Sequence, residues 1–145
     1  MKKISFTDLD GTLLNNCSQI DEEMKKALQD MTAKGHYLVL SSGRPLDSIL
    51  EVKRIAGINF PNVYIIASNG AVIYNCDTDE IIHEIRVSFD DVTNIWNFAK
   101  EHHAHVQTYT SDSIITATED EEIDYYRQRI HLPLILSDNP SEVLK

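Results

Sequence analysis

The sequence predicts an α/β protein: a doubly wound parallel sheet in its first half, followed by an α+β unit. Three observations lead there. Apolar, strand-like runs alternate with helical segments as far as Gly70, a pattern that calls for parallel strands joined by helical crossovers. After Gly70 the pattern changes to hairpin, helix, hairpin and helix. Two carboxylates, Asp8 and Asp10, stand where the first strand ends, which is where parallel sheets collect their chemistry.

Residues 3–7 read as the first strand, with Ile4-Ser5-Phe6 as its buried stretch. Residues 22–34 read as a helix, because Ile20, Met24, Ala27, Leu28 and Met31 recur at helical spacing. Asp21 is placed to cap it and Gly35 to stop it. Residues 36–41 form a strand that is apolar almost throughout, Tyr37-Leu38-Val39-Leu40, as expected of one buried on both faces. Pro45 suits the first turn of the next helix, whose inner face is Leu46, Ile49, Leu50 and Ile55 and whose end is Gly57. Residues 62–67 complete the parallel set.

Ala71–Tyr74 and Glu80–Arg86 read as a hairpin turning through Asn75–Asp79. Ser88 caps a helix over 89–103 with Val92, Ile95, Trp96 and Ala99 on one face. His105–Tyr109 and Ser113–Ala117 form a second hairpin around Thr110–Asp112. Glu119–Ile130 is a helix with Ile123, Tyr126 and Ile130 inward, and residues 132–136 make a short strand. The division falls within 75–87, giving a first domain of residues 1–75 and a second of 76–145.

The 145 residues suffice for a real hydrophobic core. Hydrophobic content of 42% and charged content of 25% are those of an ordinary globular chain. A net charge of −10 argues against nucleic-acid binding through a basic surface. No apolar run approaches the roughly 20 residues of a membrane-spanning helix, and the charged N-terminal stretch is no signal peptide. Cys17 and Cys76 lack metal-ligand spacing and read as reduced thiols of a cytoplasmic protein.

Asp8-Leu9-Asp10-Gly11-Thr12 is the most informative stretch. Its two carboxylates, two residues apart at a strand end, suit phosphoryl transfer, and Gly11 lets the backbone turn sharply beside a ligand. Val39-Leu40-Ser41-Ser42-Gly43-Arg44-Pro45 runs a strand into a hydroxyl, a glycine and a helix start. Ser42 can donate to a phosphate oxygen, and the helix turns its positive end toward an anion. The first stretch resembles motif I of the haloacid dehalogenase (HAD) superfamily of phosphatases, Asp-x-Asp-Gly-Thr. The second resembles motif II in the Ser/Thr-Gly-Arg form of the Cof-type branch. Ser68-Asn69-Gly70-Ala71 is similar to the Asn-Gly-Ala turn at which that branch leaves its core for its cap. The chain is thus identified as a Cof-type member, with a partial Rossmannoid core followed by part of a class IIB α+β cap.

The resemblance implies a mechanism. Asp8 attacks phosphorus and forms an aspartyl-phosphate, and Asp10 protonates the leaving oxygen and then activates water. Mg²⁺ is the implied cofactor, held by the Asp8 carboxylate and the Asp10 backbone carbonyl with waters and a further acid, since hard oxygen ligands suit it. Ser42 and the backbone N–H groups of Leu9, Asp10 and Gly43 would hold phosphate oxygens. Thr12 is counted with this set, though ordering the loop is its more natural work. Arg44 serves either as a substrate contact or as a lock on the loop through a carboxylate. Asn69 serves either as pocket lining or as a turn residue. The implied substrate is a small phosphate ester, a sugar phosphate above all.

The family's motif III lysine and motif IV acidic cluster are not recognisable in these residues. Glu119-Asp120-Glu121-Glu122 reads as a helix start, and Asp138-Asn139-Pro140 lacks the glycine and second Asp of motif IV. The expectation is therefore an N-terminal portion of a longer phosphatase, whose sheet has an edge beyond the first strand and self-associates through it. The competing readings are phosphomannomutase-like phosphoryl transfer and a catalytically inactive binding or assembly module. His102-His103-Ala104-His105 is read as a helix end rather than a metal site. Trp96 reads as core, and Tyr125-Tyr126 with Arg127 and Arg129 as half core, half solvated face.

Overall fold

The computed structural model describes every residue except 16–18, 111, 131 and 145, so Cys17 lies outside the described residues. The chain forms two compact units, Met1–Ile85 and Arg86–Lys145. In the first, β1 (Ile4–Asp8), α1 (Glu22–Ala33), β2 (Tyr37–Ser41), α2 (Leu46–Ile55) and β3 (Val63–Ala67) alternate as expected. β4 (Val72–Asn75) and β5 (Glu80–Glu84) complete a sheet of order β1-β2-β3-β4-β5. The first three strands are parallel, since helical crossovers join them, and β4 and β5 are antiparallel to their neighbours. Only the one-turn 3₁₀ helix Ser68–Gly70 and Ala71 lie between β3 and β4, too little chain for a parallel return. The hairpin therefore extends the first sheet. The units divide at Ile85/Arg86, ten residues beyond the division at 75/76 read from the sequence.

The core occupies one face of this sheet. Leu38, Leu40, Val63, Ile65 and Ala67 point into it and meet Leu28 of α1 and Ile49 and Val52 of α2, with Leu9, Leu13 and Leu14 from the loop after β1. Both helices thus cover the same face. Five helix residues read as inward are instead exposed: Met24, Ala27, Ile55, Ile95 and Tyr126. In α2 the buried stripe is Ile49, Val52 and Ala56, and Ile55 lies one residue, about 100° of rotation, off it. The same offset separates Ile95 from buried Trp96 in the helix that follows Ser88. In α1, Thr32 is fully buried, its hydroxyl donating to the Gln29 carbonyl at 3.1 Å. Asp21 stands at the N-cap of α1 but makes no side-chain cap bond.

The opposite face carries Ile4, Phe6, Tyr37, Val39, Tyr64, Ile66 and Ile73, which line an apolar hollow of about 300 Å³. Ile4 is 58% and Phe6 64% exposed. Among the described residues β1 pairs with β2 alone, so it forms an edge of the sheet.

The second unit contains α3 (Phe89–Glu101), β6 (Gln107–Tyr109), β7 (Ile114–Thr116), α4 (Glu121–Ile130) and β8 (Leu134–Leu136). Ser88 caps α3 as expected, accepting from the Asp91 N–H at 3.1 Å. β6 and β7 are antiparallel, whereas α4 carries the chain back so that β8 lies parallel to β7. Ile114, Ile123 and Ile130 form the small core, with Tyr109, Leu132 and Leu134 against it.

His105 ties β6 to the start of α4. Its Nδ1 lies 2.8 Å from Asp120 Oδ2 and its Nε2 3.1 Å from Gln107 Oε1. Burial alone would pull the His105 pKa down, but the bonds to Asp120 and Gln107 and the nearby carboxylates leave it above its usual 6.5. Its bond to His105 chiefly holds the Asp120 carboxyl below its usual 3.8. The sign follows from linkage. The histidine's contribution is full below 6.5 and is lost as pH rises through its higher folded value. The aspartate's is full above 3.8 and is lost as pH falls through its lower folded value.

Two outcomes are expected. Thermal unfolding of the second unit should show stability falling as pH rises above 6.5, by no more than about 1 kcal/mol because both side chains reach water. Asp120→Asn should flatten that dependence, and an unchanged slope would exclude the pair as its source. In the first unit, Leu40→Ala, at a fully buried position, should cost about 2–5 kcal/mol in denaturant unfolding.

Candidate active site

The register of the parallel strands assembles the site. Asp8, the last residue of β1, lies opposite Ser41, the last of β2, and Ser41 lies opposite Ile66 of β3. The loops that follow therefore leave the sheet side by side. Backbone bonds join the second and third. The Ser42 N–H donates to the Ile66 carbonyl at 2.9 Å, the Ser68 N–H to the Arg44 carbonyl at 2.9 Å, and the Asn69 N–H to the Ser42 carbonyl at 3.4 Å.

The first loop is anchored by leucines. Leu9 is fully buried and Leu13 and Leu14 nearly so, while Asp8, Asp10, Gly11 and Thr12 between and beside them are exposed. The Leu14 N–H donates to the Leu9 carbonyl at 2.9 Å and the Leu13 N–H to the Asp8 carbonyl at 3.2 Å. Gly11 takes φ +74°, a conformation that glycine adopts without steric cost. The Leu9 side chain is thus withdrawn into the core, leaving its backbone as the part of the residue that a ligand could meet. Thr12 contributes its N–H to a long bond with the Leu9 carbonyl, 3.5 Å, consistent with loop ordering.

The two carboxylates have different surroundings. Among the described residues Asp8 has no side-chain hydrogen bond or ion pair, and it stands open to solvent. Asp10 is clamped by Arg44, whose Nε lies 2.8 Å from Oδ2 and whose Nη2 lies 2.7 Å from Oδ1. This is the bidentate fork that guanidinium and carboxylate favour. The Arg44 side chain is 9% exposed and that of Asp10 46%. Arg44 Nη1 also reaches Ser48 Oγ at 3.4 Å. Ser48 was not singled out from the sequence. Its signal was positional, since it stands four residues after Arg44 and so on the same side of the helix start.

Ser42 is buried and its Oγ accepts from the Arg44 N–H at 3.2 Å. A hydroxyl that accepts one bond still has its hydrogen to give. Gly43 admits no side chain without displacement, because a Cβ there would lie 2.9 Å from Asn69 Oδ1. Asn69 is therefore both the turn residue and a wall of the loop cluster. Ser68, Asn69 and Gly70 all take positive φ, +51°, +55° and +98°. For Ser68 this carries a cost of order 1–3 kcal/mol, which the flanking bonds to Arg44 and Ser42 offset.

The exposed Asp8 carboxylate is a hard oxygen donor of the kind Mg²⁺ takes, although no group of three or more His, Cys, Asp or Glu that could hold a metal ion stands together among the described residues. The histidine cluster points elsewhere. His102 packs on Phe98 with ring centroids 4.3 Å apart, and His105 faces Asp120. Asp138 pairs with Lys100 at 3.3 Å, and Asn139 caps the turn Pro140–Glu142 by accepting from the Ser141 N–H. Arg129 lies over the exposed Tyr125 ring at 4.1 Å. No helix is long and apolar enough to cross a membrane among the described residues.

Comparison with known proteins agrees with this geometry. The family described as haloacid dehalogenase-like hydrolase matches residues 5–142. YxeH of Bacillus subtilis (strain 168), named as a candidate phosphatase, is 31% identical over 120 residues, which is 83% of this chain and 44% of that protein. A haloacid dehalogenase-like hydrolase from Bacteroides thetaiotaomicron superposes with a TM-score of 0.80 at 26% identity, over 95% of this chain and 52% of the other. The subclass IIB sugar phosphatase BT4131 shares the fold, with a TM-score of 0.72 at 20% identity over 94% of this chain and 53% of its own. The chain thus spans about half the length of the proteins it matches. On the extent of the family match, and on the strand-end carboxylates and Ser-Gly-Arg loop that it includes, the chain belongs to the haloacid dehalogenase-like hydrolases.

Proposed function

We propose that this chain carries the nucleophile and phosphate-binding loops of a magnesium-dependent phosphatase acting on small phosphate esters, sugar phosphates in particular. The observation that carries this reading is the exposed Asp8 carboxylate, without a side-chain partner among the described residues, at the end of β1 beside the Ser42–Arg44 loop. In the first step Asp8 attacks phosphorus, a phosphorus–oxygen bond to Asp8 forms, and the bond to the ester oxygen breaks. Asp10 delivers the proton to that leaving oxygen. In the second step Asp10 takes a proton from water, whose oxygen displaces Asp8. The Ser42 hydroxyl and the backbone N–H groups of Leu9, Asp10 and Gly43 face the phosphate oxygens as charge builds. Mg²⁺, bound by Asp8 and the Asp10 carbonyl, would neutralise phosphate charge.

The surroundings of the site fit this reading. A net charge of −10 suits a small-molecule substrate better than nucleic acid, and the free thiol of Cys76 suits a cytoplasmic setting. A second copy of this chain is the cover we propose for the β1 edge and the apolar face around Phe6.

Mg²⁺-dependent phosphate release from p-nitrophenyl phosphate is the direct check. Asp8→Asn should reduce it on the order of 10³-fold or more. Turnover that survives this substitution would remove Asp8 as nucleophile. A folded protein that binds phosphate esters without turnover would instead favour a binding module. With a sugar bisphosphate, return of the phosphoryl group to the sugar rather than its release would favour a mutase. For self-association, sedimentation equilibrium should find a dimer that Phe6→Glu dissociates. A wild-type monomer would end that part of the reading.

A further inference from the structure

We infer that Arg44 is the positioning residue of Asp10, holding that carboxylate in place over the Asp8 loop, and is not a ligand of the substrate phosphate. The inference rests on the phosphatase reading for the role of Asp10, but its geometric half stands without it. Arginine beside a phosphate loop ordinarily suggests an anion contact. Here the guanidinium is otherwise engaged. Nε and Nη2 take both oxygens of Asp10, and Nη1 faces Ser48 Oγ, so each of its three nitrogens has a partner. The side chain is nine-tenths buried, so turning it toward an anion would mean abandoning a bidentate pair within a poorly solvated setting.

The Arg44 backbone is engaged as well. Its N–H donates to Ser42 Oγ, and its carbonyl accepts from the Ser68 N–H. One residue therefore links the loops after β1, β2 and β3. The consequence is a division of labour between two carboxylates. Asp8 is left without a partner among the described residues and can meet phosphorus or a cation. Asp10 is held by a fork that fixes both its position and its rotation. With both oxygens accepting, it stands as the ionised carboxylate that takes a proton from water in the second step. To protonate the leaving oxygen in the first, it must arrive carrying a proton, with one arm of the fork released. A lysine could supply the charge but not the two-point hold.

The test uses the 145-residue chain, labelled with ¹⁵N, and inorganic phosphate as the probe. The Arg44 Nε–H resonance, identified by its loss in Arg44→Lys, should exchange slowly with water and should be lost or shifted in Asp10→Asn. Unperturbed amide resonances from the core of the first unit, such as those of Leu38 and Val63, would report that both variants remain folded. Added phosphate should move the amide signals of Ser42 and Gly43 while leaving Arg44 Nε–H in place. Two results would overturn the inference: an Nε–H signal indifferent to Asp10→Asn, or one that follows phosphate as closely as the Gly43 amide does. If phosphate moves none of the loop amides, the phosphate-site reading fails, whereas loss of the Nε–H signal in Asp10→Asn would still support the hold on Asp10. In turnover, Arg44→Lys should lower kcat by about 10-fold or more with KM within about twofold. A raised KM at unchanged kcat would instead make Arg44 a substrate ligand.

Discussion

The site depends on one constraint, the register of three parallel strands. Because Asp8 stands opposite Ser41 and Ser41 opposite Ile66, three chain segments end at one level and their loops emerge together. A slip of one residue in β1 would turn Asp8 to the other face of the sheet. The register is itself held by burial on the helical face, where Leu38, Leu40, Val63, Ile65 and Ala67 meet α1 and α2. The leucines flanking the acidic pair add to this. Leu9 and Leu13 sink into the core, and the residues between them are presented to solvent.

Charge is arranged sparingly around that frame. In a chain with 23 acidic and 13 basic residues, a buried arginine meets the acidic pair and gives two of its three side-chain nitrogens to one of them, Asp10. Pairing Asp10 with Arg44 while leaving Asp8 open gives two chemically identical groups different surroundings. The strained Ser68–Gly70 turn belongs to the same arrangement. It places Asn69 against Gly43 and closes the loop cluster on its third side.

Much of this was legible in sequence because the signals are local. A carboxylate pair at a strand end, or a hydroxyl and a glycine before a helix, needs only a few adjacent residues to be recognised. The helix and strand order followed from periodicity for the same reason. What was not legible depends on distant partners. Arg44 had two equally good uses until Asp10, 34 residues away, took both its fork nitrogens. Ser48 had no role until Arg44 pointed at it. The 71–86 hairpin carried no mark of which sheet it would join. The inner faces of the helices were misjudged at Met24, Ala27, Ile55, Ile95 and Tyr126, each an apolar or aromatic residue near the true stripe. An apolar residue only says that burial would be favourable, and packing then chooses among neighbours about 100° apart.

The apolar face of the first sheet is the other half of that lesson. Tyr37-Leu38-Val39-Leu40 shows no alternation, the pattern of a strand meant to be covered on both sides. Inside one unit of this chain only one side is covered, because α1 and α2 both pack on the face of Leu38 and Leu40. Ile4 and Phe6 are left more than half exposed, and full burial of such side chains is worth roughly 1.5–3 kcal/mol each. The uncovered face is continuous with the edge of β1, whose outward backbone groups also lack a strand partner among the described residues. Apolar surface and unsatisfied edge thus coincide at the strand that ends in Asp8. A covering polypeptide would stabilise the sheet on that side and hold firm the strand that ends in Asp8, so that order at the site and association at this face would be coupled through β1.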